Sequence, residues 1–265
     1  MKTKDLPVGV MDSGIGGLSI LKEARKILPK EDFIYFGDSK NAPYGMKTTE
    51  EIKKLTFDAF DYLNKKGIKA FVVACNTATG AAIKELRDAH PEMPIIGVEP
   101  AVKPAVVCNQ GGEIIVMATP ATLRQDKFKD LLSKYENEAK IVTLGCDGLV
   151  ELIENGNFDR KVIFGYLNTK LGPLLSENVE SIVLGCTHYP FIKDLIKEFL
   201  TELNAKYEKI LLIDGSKGTS SEIKRRLEKA GFLKENGEGS ILIENSLEGI
   251  EKDKILELSK RLLEI

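Results

Sequence analysis

The sequence contains no tryptophan and only two histidines, and its four cysteines are scattered along the chain. No two cysteines form a C-x-x-C pair, so the clustered ligands of a structural zinc ion are missing, and we predict no metal site. No apolar run approaches the roughly 20 residues that cross a bilayer. The 38 basic side chains are balanced by 40 acidic ones, which leaves no basic excess for a nucleic acid. The sequence therefore indicates neither a membrane protein nor a nucleic-acid-binding protein.

The sequence also lacks an apolar signal segment ahead of its first strand pattern, which begins at Val8. We therefore expect the chain to stay in the cytoplasm. Because that compartment is reducing, we expect Cys75, Cys108, Cys146 and Cys186 to remain free thiols.

The pattern of hydrophobic residues is that of an α/β protein. The 265 residues are 43% hydrophobic and 29% charged, which is typical of a globular chain with two modest domains. Short apolar runs alternate with stretches of helical length, as in parallel sheets that helices cover on both faces. The predicted strands are Val8–Met11, Phe33–Phe36, Lys69–Ala74, Ile95–Val98, Glu113–Met117, Lys140–Thr143, Ser181–Leu184 and Ile210–Ile213, and a further segment, Ser240–Glu244, precedes the last helix. The predicted helices are Leu18–Leu28, Thr49–Lys65, Ser220–Ala230 and a charged final helix.

The chain is internally duplicated in its pattern. Phe71–Thr77 and Ile182–His188 each contain four apolar or small residues, a cysteine and two polar residues. A strand also opens each half, before Asp12 in the first and before Thr119 in the second. We predict two similar α/β domains with mostly parallel sheets, related by a pseudo-twofold axis, with the active site in the interdomain cleft. We assign residues 1–98 with 210–265 to the first domain and residues 99–209 to the second.

Each duplicated segment places a cysteine where a strand ends and a helix begins. Ligands of open α/β sheets bind beyond the carboxyl ends of the strands, so Cys75 and Cys186 would approach one cleft from opposite sides. A thiol with an ordinary pKa of about 8.5 can be tuned as base or acid, and a helix N-terminus stabilises its thiolate. This arrangement suits the removal of a proton from one face of a carbon and its return to the other. The alternative is that each cysteine is a small buried hydrophobic residue.

Polar residues near these cysteines offer further chemistry. Asn76, Thr77 and Thr187 carry donors for a substrate carboxylate. His188 has an ordinary pKa near neutrality, so it suits proton transfer or orientation, and a buried structural histidine is the alternative. Asp12 ends the first strand, where its carboxylate could act as a base, hold an ammonium group or cap a helix.

The glycine-rich stretch Gly14–Gly17 raises a nucleotide-binding alternative. Asp38 follows at about the 20-residue distance of the ribose-binding acid in the dinucleotide fingerprint. However, Ser19 stands in place of the third glycine, and Asp12 would set a negative charge beside the pyrophosphate. The residues therefore disfavour a nicotinamide dinucleotide.

The remaining candidates carry weaker signals. The segment Asn41–Gly45 has the composition of a turn and leaves a strand at its carboxyl end, so it could reach the cleft. Glu151 and Glu154 share a face if their segment is helical, and by default both are surface carboxylates. Cys108 and Cys146 lack polar companions, so we predict that both are structural.

The motifs together resemble those of the bacterial glutamate racemase family. The resemblance rests on Val10–Gly17, Gly37–Asp38 with Pro43–Gly45, Val73–Thr79 and Leu184–Pro190, which occur in the family's order and spacing. Three departures are Met117-Ala118 in place of the more usual Ile-Gly, Ala42 where relatives have cysteine, and Glu151 where many relatives have proline.

The resemblance implies a cofactor-independent, two-base interconversion of L- and D-glutamate, with D-glutamate supplied for peptidoglycan. It implies that Cys75 and Cys186 are the opposed bases, that Asp12 assists the first and that His188 assists the second. The family's helper glutamate falls on Glu154, with Glu151 as the other candidate. The resemblance also implies a homodimer and a set of substrate-binding residues, namely Asp12, Ser13, Pro43, Tyr44, Gly45, Asn76, Thr77, Thr119, Thr122, Thr187 and His188.

Two alternatives stay open from the residues alone. One is a racemase that acts on aspartate or another amino acid, and the other is a non-catalytic module that binds an amino acid or nucleotide in the same cleft. A pyridoxal phosphate enzyme is disfavoured because no lysine lies in the four strand-end loops, which are Asp12–Ser13, Cys75–Thr77, Thr119–Thr122 and Cys186–His188.

Overall fold

A computed structural model describes residues 3–264 as two compact units, each with its own sheet. One unit runs up to Glu99 and resumes at Ser216, and the other is Pro100–Gly215. Residues 1, 2 and 265, which the domain prediction included, lie outside the described residues. All strand pairs of the described part are parallel. The predicted α/β class with two mostly parallel sheets is therefore confirmed.

The first unit contains the beginning and the end of the chain. Its elements before the second unit are β1 (Val8–Asp12), α1 (Leu18–Ile27), β2 (Phe33–Gly37), α2 (Thr49–Lys65), β3 (Ala70–Val73), α3 (Asn76–Ala89) and β4 (Ile95–Gly97). The second unit comprises α4 (Val102–Cys108), β5 (Glu113–Ala118), α5 (Pro120–Arg124), α6 (Asp126–Ser133), β6 (Lys140–Gly145), α7 (Leu149–Glu154), α8 (Arg160–Lys170), β7 (Val179–Leu184), α9 (Lys193–Leu203) and β8 (Leu211–Asp214). The chain then completes the first unit with α10 (Ser216–Ala230), β9 (Ile241–Asn245) and α11 (Gly249–Leu263).

The two sheets repeat one strand order, which agrees with the duplicated sequence pattern. The first sheet has the order β4-β3-β1-β2-β9, and the second, taken from its β8 edge, has the order β8-β7-β5-β6. In each sheet the strand that opens the half lies beside the strand that precedes the cysteine motif. Asp12 and Cys75 therefore follow neighbouring strands, and so do Thr119 and Cys186.

One strand lies in a different sheet from the one expected. The prediction that residues from 210 onward belong to the first domain is wrong for β8, which pairs with β7 in the second sheet, where Ser181 is aligned with Leu211. The return to the first unit begins only at α10, which packs on α1. The reason is the duplication itself, since β8 occupies in the second sheet the place that β4 occupies in the first.

Local sequence signals explain where the elements begin and end. Every residue of β1 and β3 is buried, as expected for central strands that helices cover on both faces. Helix α2 begins with a capping box in which Thr48 and Glu51 exchange hydrogen bonds, and it ends shortly before Gly67, whose φ is +77°. No helix within residues 3–264 is long and apolar enough to cross a membrane.

Candidate active site

The predicted site residues fall into two sets, one in each unit. The first unit holds Asp12, Ser13, Pro43, Tyr44, Gly45, Cys75, Asn76 and Thr77, and the second holds Thr119, Thr122, Glu154, Cys186, Thr187 and His188. All of them are buried except Pro43 and Glu154, which are partly exposed. All four cysteines of the chain are free thiols.

In the first unit, Asp12 and Cys75 lie at the ends of adjacent strands. The buried carboxylate of Asp12 accepts a hydrogen bond from the Gly14 amide, with 2.9 Å between Oδ1 and N. The Ser13 hydroxyl oxygen lies 3.6 Å from the Cys75 sulfur. The turn that follows β1 therefore brings a carboxylate and a hydroxyl to the strand end that carries the thiol.

Cys75 also occupies the N-cap position of α3. Its sulfur accepts a hydrogen bond from the Ala78 amide, with 3.4 Å between the two atoms. The partial positive charge of a helix N-terminus favours the thiolate over the thiol. The position that the sequence predicted for Cys75 therefore has the geometry that suits a thiol used as a base.

Asn76 supplies a buried acceptor beside that thiol. Its Oδ1 atom has no hydrogen-bond partner within residues 3–264. Buried polar atoms almost always have a partner, and an unsatisfied one costs about 1–3 kcal/mol. This oxygen is therefore suited to accept a hydrogen bond from an ammonium or another donor of a bound ligand.

The loop from Asp38 to Met46, which we call the substrate loop, is tied to the end of β1. The Asp38 amide donates to the Asp12 carbonyl at 2.9 Å. The Asp38 carboxylate accepts hydrogen bonds from the Tyr44 hydroxyl at 2.7 Å and from the Asn41 side chain at 3.0 Å. Burial raises the pKa of Tyr44 far above its usual value, and the negative charge of Asp38 raises it further. The phenol therefore stays protonated as a donor.

The role of Asp38 is the point that sequence reasoning missed. Asp38 was considered there as a ribose-binding acid, whereas the structure makes it the acceptor that holds Tyr44 and Asn41. The available signal was an acidic residue at a strand end, six positions before a tyrosine on a turn. This spacing does not by itself show a contact, because Asp38 and Tyr44 meet only through the fold of the loop.

The glycine-rich turn after β1 is explained by packing. A Cβ atom on Gly17 would lie 2.8 Å from the Cβ atoms of both Ala74 and Asp12, so only glycine lets α1 begin this close to the strand ends. The Asp12 carboxylate already accepts the Gly14 amide, which a dinucleotide phosphate would need. Both observations account for Gly14–Gly17 without a nucleotide.

In the second unit, Cys186, His188 and Glu154 form a hydrogen-bonded chain. The Cys186 sulfur lies 3.6 Å from Nδ1 of His188, and Nε2 of the same ring lies 2.5 Å from Oε1 of Glu154. All three residues are within one unit, and the imidazole is buried. The ring therefore links a carboxylate on one side to a thiol on the other.

The surroundings of His188 favour its charged form. Burial by itself would lower the pKa of the imidazole, but the hydrogen bonds with Cys186 and Glu154 outweigh burial and hold the pKa well above its usual value. Because folding raises this pKa, the stabilisation is complete below the unfolded pKa of about 6.5 and is lost as the pH rises through the folded pKa. The imidazole Nδ1 atom lies within hydrogen-bonding reach of the Cys186 sulfur.

The geometry distinguishes between the two candidate glutamates. Glu154 is the last residue of α7, and its carboxylate contacts the imidazole of His188. Glu151 lies in the first turn of α7. The ion pair with His188 is therefore made by Glu154.

We expect the substitution Glu154→Gln to lower the pKa of His188, because the neutral amide no longer stabilises the imidazolium. Histidine-labelled protein has resonances from His90 and His188 alone, so NMR titration can follow His188 directly. The matched control is Glu151→Gln on the same helix, which should leave the His188 titration unchanged. An unchanged His188 pKa in Glu154→Gln would contradict the ion pair.

The second unit also presents threonine hydroxyls at the end of β5. Thr119 caps α5, since its Oγ1 accepts the Thr122 amide at 3.2 Å, and the two hydroxyl oxygens are 3.0 Å apart. Thr187, next to Cys186, is buried as well. The ends of β5 and β7 therefore carry hydroxyl groups beside a thiol, as the ends of β1 and β3 do.

The other two cysteines have surroundings that differ from those of Cys75 and Cys186. Cys108 is exposed at the end of α4. Cys146 is buried after β6, and burial raises its pKa to about 12. The Cys146 thiol is therefore neutral at physiological pH and unsuited to act as a base.

Comparison with known proteins places the chain among racemases. The model of the Asp/Glu/Hydantoin racemase family matches residues 8–221. A glutamate racemase of Clostridium perfringens (strain SM101 / Type A) is 51% identical over 263 residues, which are 99% of this chain and 98% of the relative. A glutamate racemase of Clostridium botulinum (strain Langeland / NCTC 10281 / Type F) is 53% identical over the same shares of the two chains.

Solved structures agree with these relatives. The glutamate racemase isoform RacE1 of Bacillus anthracis has a TM-score of 0.85 and 29% identity, with 99% of this chain and 95% of that chain covered. The Thermus thermophilus glutamate racemase in complex with β-chloro-D-alanine has a TM-score of 0.80 and 31% identity, with 97% and 93% covered. The resemblance that the sequence motifs indicated is thereby confirmed.

Proposed function

This chain belongs to the Asp/Glu/Hydantoin racemase family, and on that premise we propose that it interconverts L-glutamate and D-glutamate without a cofactor. The observation that carries the proposal is the thiol repeated at a strand end in each unit. The chain is also similar to glutamate racemases over 99% of its length. Each thiol has a polar partner of its own, which is the Ala78 amide at the start of α3 for Cys75 and the imidazole of His188 for Cys186.

In the proposed reaction one thiolate removes the α-proton and the other thiol donates a proton to the opposite face. The Cα–H bond breaks, its electron pair stays on the substrate, and the proton forms an S–H bond on the first cysteine. The second cysteine gives up its proton to Cα and becomes a thiolate. The two thiols have then exchanged protonation states, so the same pair can carry out the reverse reaction.

The weak acidity of the α-proton sets the main demand on the protein. The carbanion must be stabilised by donors that are in place before the proton leaves, in a site from which water is excluded. We assign this task to buried groups beside the thiols, with the hydroxyls of Thr77, Thr187, Thr119 and Thr122 as donors to the carboxylates. Oδ1 of Asn76 would accept a hydrogen bond from the α-ammonium group.

The neighbours of the thiols have distinct proposed roles. Asp12 lies at the strand end next to Cys75. Its carboxylate would assist Cys75 by accepting a proton or a hydrogen bond. His188, held by Glu154, would stabilise the Cys186 thiolate and return a proton to it. Tyr44 and Gly45 would contact the substrate from the substrate loop, whose shape depends on Asp38.

The test is an assay of the purified chain with L-glutamate in D2O and without pyridoxal phosphate. We expect D-glutamate to form with deuterium at the α-carbon. A parallel assay with L-aspartate should be slower, although one methylene group separates substrates by only about 10–200-fold. Failure to form D-glutamate or to exchange the α-proton would reject the proposal, and a preference for aspartate would change the substrate.

We further propose that the chain acts as a homodimer in the cytoplasm and that its D-glutamate is used for peptidoglycan. The support is the family resemblance of the motifs. Sedimentation of the purified chain should give the mass of two copies, whereas a single copy at micromolar concentration would reject the dimer.

A further inference from the structure

The end of β9 is connected to the substrate loop. We propose that Asn245 and Ser246 are positioning residues that hold the substrate loop in the shape that binds substrate. The proposal rests on the proposed function, because Tyr44 and Gly45 of that loop are assigned to substrate binding. We call the pair Asn245–Ser246 the C-terminal latch.

Strand pairing brings the C-terminal latch to the start of the loop. Strand β9 pairs with β2, and the last aligned pair is Gly37 with Asn245. The backbone segments after β2 and β9 therefore leave the sheet side by side. The first continues into the substrate loop and the second into the C-terminal latch. The Ser246 amide continues the contact by donating to the Gly37 carbonyl at 3.0 Å.

Two hydrogen bonds then reach the loop itself. Nδ2 of Asn245 donates to the Ser39 hydroxyl at 2.9 Å, and the Ser246 hydroxyl accepts the Lys40 amide at 3.0 Å. Asn245 is buried, and its Oδ1 accepts the Leu247 amide at 3.0 Å. The hydrogen bond from the Leu247 amide fixes the orientation of the Asn245 side-chain amide, so that Nδ2 points to Ser39.

The latch contacts are close to the strand end that carries Asp12. A Cβ atom on Gly37 would lie 2.5 Å from the Gly14 carbonyl and 2.9 Å from Nδ2 of Asn245. Glycine at this position therefore lets the turn after β1, the end of β2 and the end of β9 pack together. A displacement of Asn245 would therefore also displace Ser39, the second residue of the loop.

The substrate loop needs such anchors because it has little structure of its own. It contains two single-turn 3-10 helices, Ser39–Asn41 and Tyr44–Met46, and so short a helix is not stable by itself. Asp38 holds the loop through Tyr44 and Asn41. The C-terminal latch holds its first turn through Ser39 and Lys40. Among the residues that the structure describes, the second sheet ends at β6 and has no strand in the place of β9, so the latch is found in the first unit.

A double-mutant cycle tests the side-chain contact of the latch. We expect Ser39→Ala and Asn245→Ala each to raise the KM for glutamate by about 2–12-fold, the range that one lost hydrogen bond produces. The kcat should stay within about twofold, because the loop contacts are assigned to binding in both ground and transition states. The double variant should raise KM no further than Asn245→Ala alone, since Asn245→Ala already removes the bond that Ser39→Ala removes.

A second pair of variants tests the contact with the loop backbone. Ser246→Ala should raise KM and speed the hydrogen exchange of the Lys40 amide, whereas Ser246→Thr keeps the hydroxyl and should restore both values. The matched control is Glu244→Gln, on the same strand, which breaks the ion pair with Lys66 and does not touch the loop. It should change neither KM nor Lys40 exchange.

The outcomes separate the latch from the proposed function. If the unaltered chain does not racemise glutamate, the proposed function fails, and Lys40 exchange still tests the latch. If the chain racemises glutamate but Asn245→Ala leaves KM unchanged and Ser246→Ala leaves Lys40 exchange unchanged, the latch is wrong. Additive effects of Ser39→Ala and Asn245→Ala would also overturn it.

Discussion

Substitution of either Cys75 or Cys186 by alanine should abolish racemisation, with a loss in kcat of at least about 10²–10⁴-fold. Each thiol is assigned one of the two proton transfers, and the other two cysteines, Cys108 and Cys146, lie elsewhere in the sequence and are assigned neither transfer. The measurement is the initial rate of D-glutamate formation from L-glutamate, and of the reverse reaction, with matched protein concentrations.

Deuterium exchange makes this prediction sharper. A variant with one remaining thiol can remove and return a proton on one face only, so it should exchange the α-proton of one enantiomer without inversion. Cys75→Ala and Cys186→Ala should therefore retain exchange with opposite enantiomers. Full racemisation in either variant would contradict the two-base mechanism. Loss of both exchanges in variants that circular dichroism shows to be folded would contradict it as well.

The chain provides matched controls for these variants. Cys108→Ala removes an exposed thiol and should leave the rates unchanged. Cys146→Ala removes a buried thiol, so it should lower the free energy of unfolding. Because the pKa of that thiol is raised to about 12, it is not a base at physiological pH, and racemisation should persist. A rate loss in Cys108→Ala equal to that of Cys75→Ala would show that the assay reports general damage.

The second large effect concerns stability. Lys69→Met should lower the free energy of unfolding by about 3–5 kcal/mol, because it leaves a buried carboxylate without its cation. The side chains of Lys69 and Glu31 are 0% and 1% exposed, and the two form an ion pair. Nζ of Lys69 also donates to the Lys4 carbonyl at 2.7 Å. Urea unfolding followed by circular dichroism measures the change.

Two further variants test the cause. Lys69→Met combined with Glu31→Gln should recover at least half of the loss, since no uncompensated charge is then buried. Lys66 lies three residues before Lys69, and Lys66→Met breaks a partly exposed ion pair with Glu244, so it should cost about 1 kcal/mol or less. If Lys69→Met costs no more than Lys66→Met, the buried pair does not have the importance assigned to it.

This ion pair also connects the two ends of the chain. Glu31 accepts the Lys234 amide at 2.7 Å, and the neighbouring Asp32 accepts the side chain of Lys234 and the amide of Ser240. The segment that leads into β9 is therefore held by the residues in front of β2.

Short-range pattern was sufficient for the elements and for the chemical groups at their ends. The eight predicted strands all form, and α2 has the bounds that its pattern indicated, because apolar periodicity, a capping residue and Gly67 act within a few residues of one another. The cysteine motifs could be recognised as a pair because they are written twice. Since parallel strands end at one edge, these motifs also had to come beside Asp12 and Thr119.

Long-range packing decided the rest. The sheet that β8 joins depends on which strand it aligns with, and local sequence does not contain that information. Only tertiary packing brings the carboxylate of Glu154, the last residue of α7, to the imidazole of His188, which follows 34 residues later in the sequence. Asp38 meets Tyr44 only after the loop folds back, and Asn245 meets Ser39 across 206 residues. Such contacts depend on the relative positions of distant elements, which the core determines once all of them have packed.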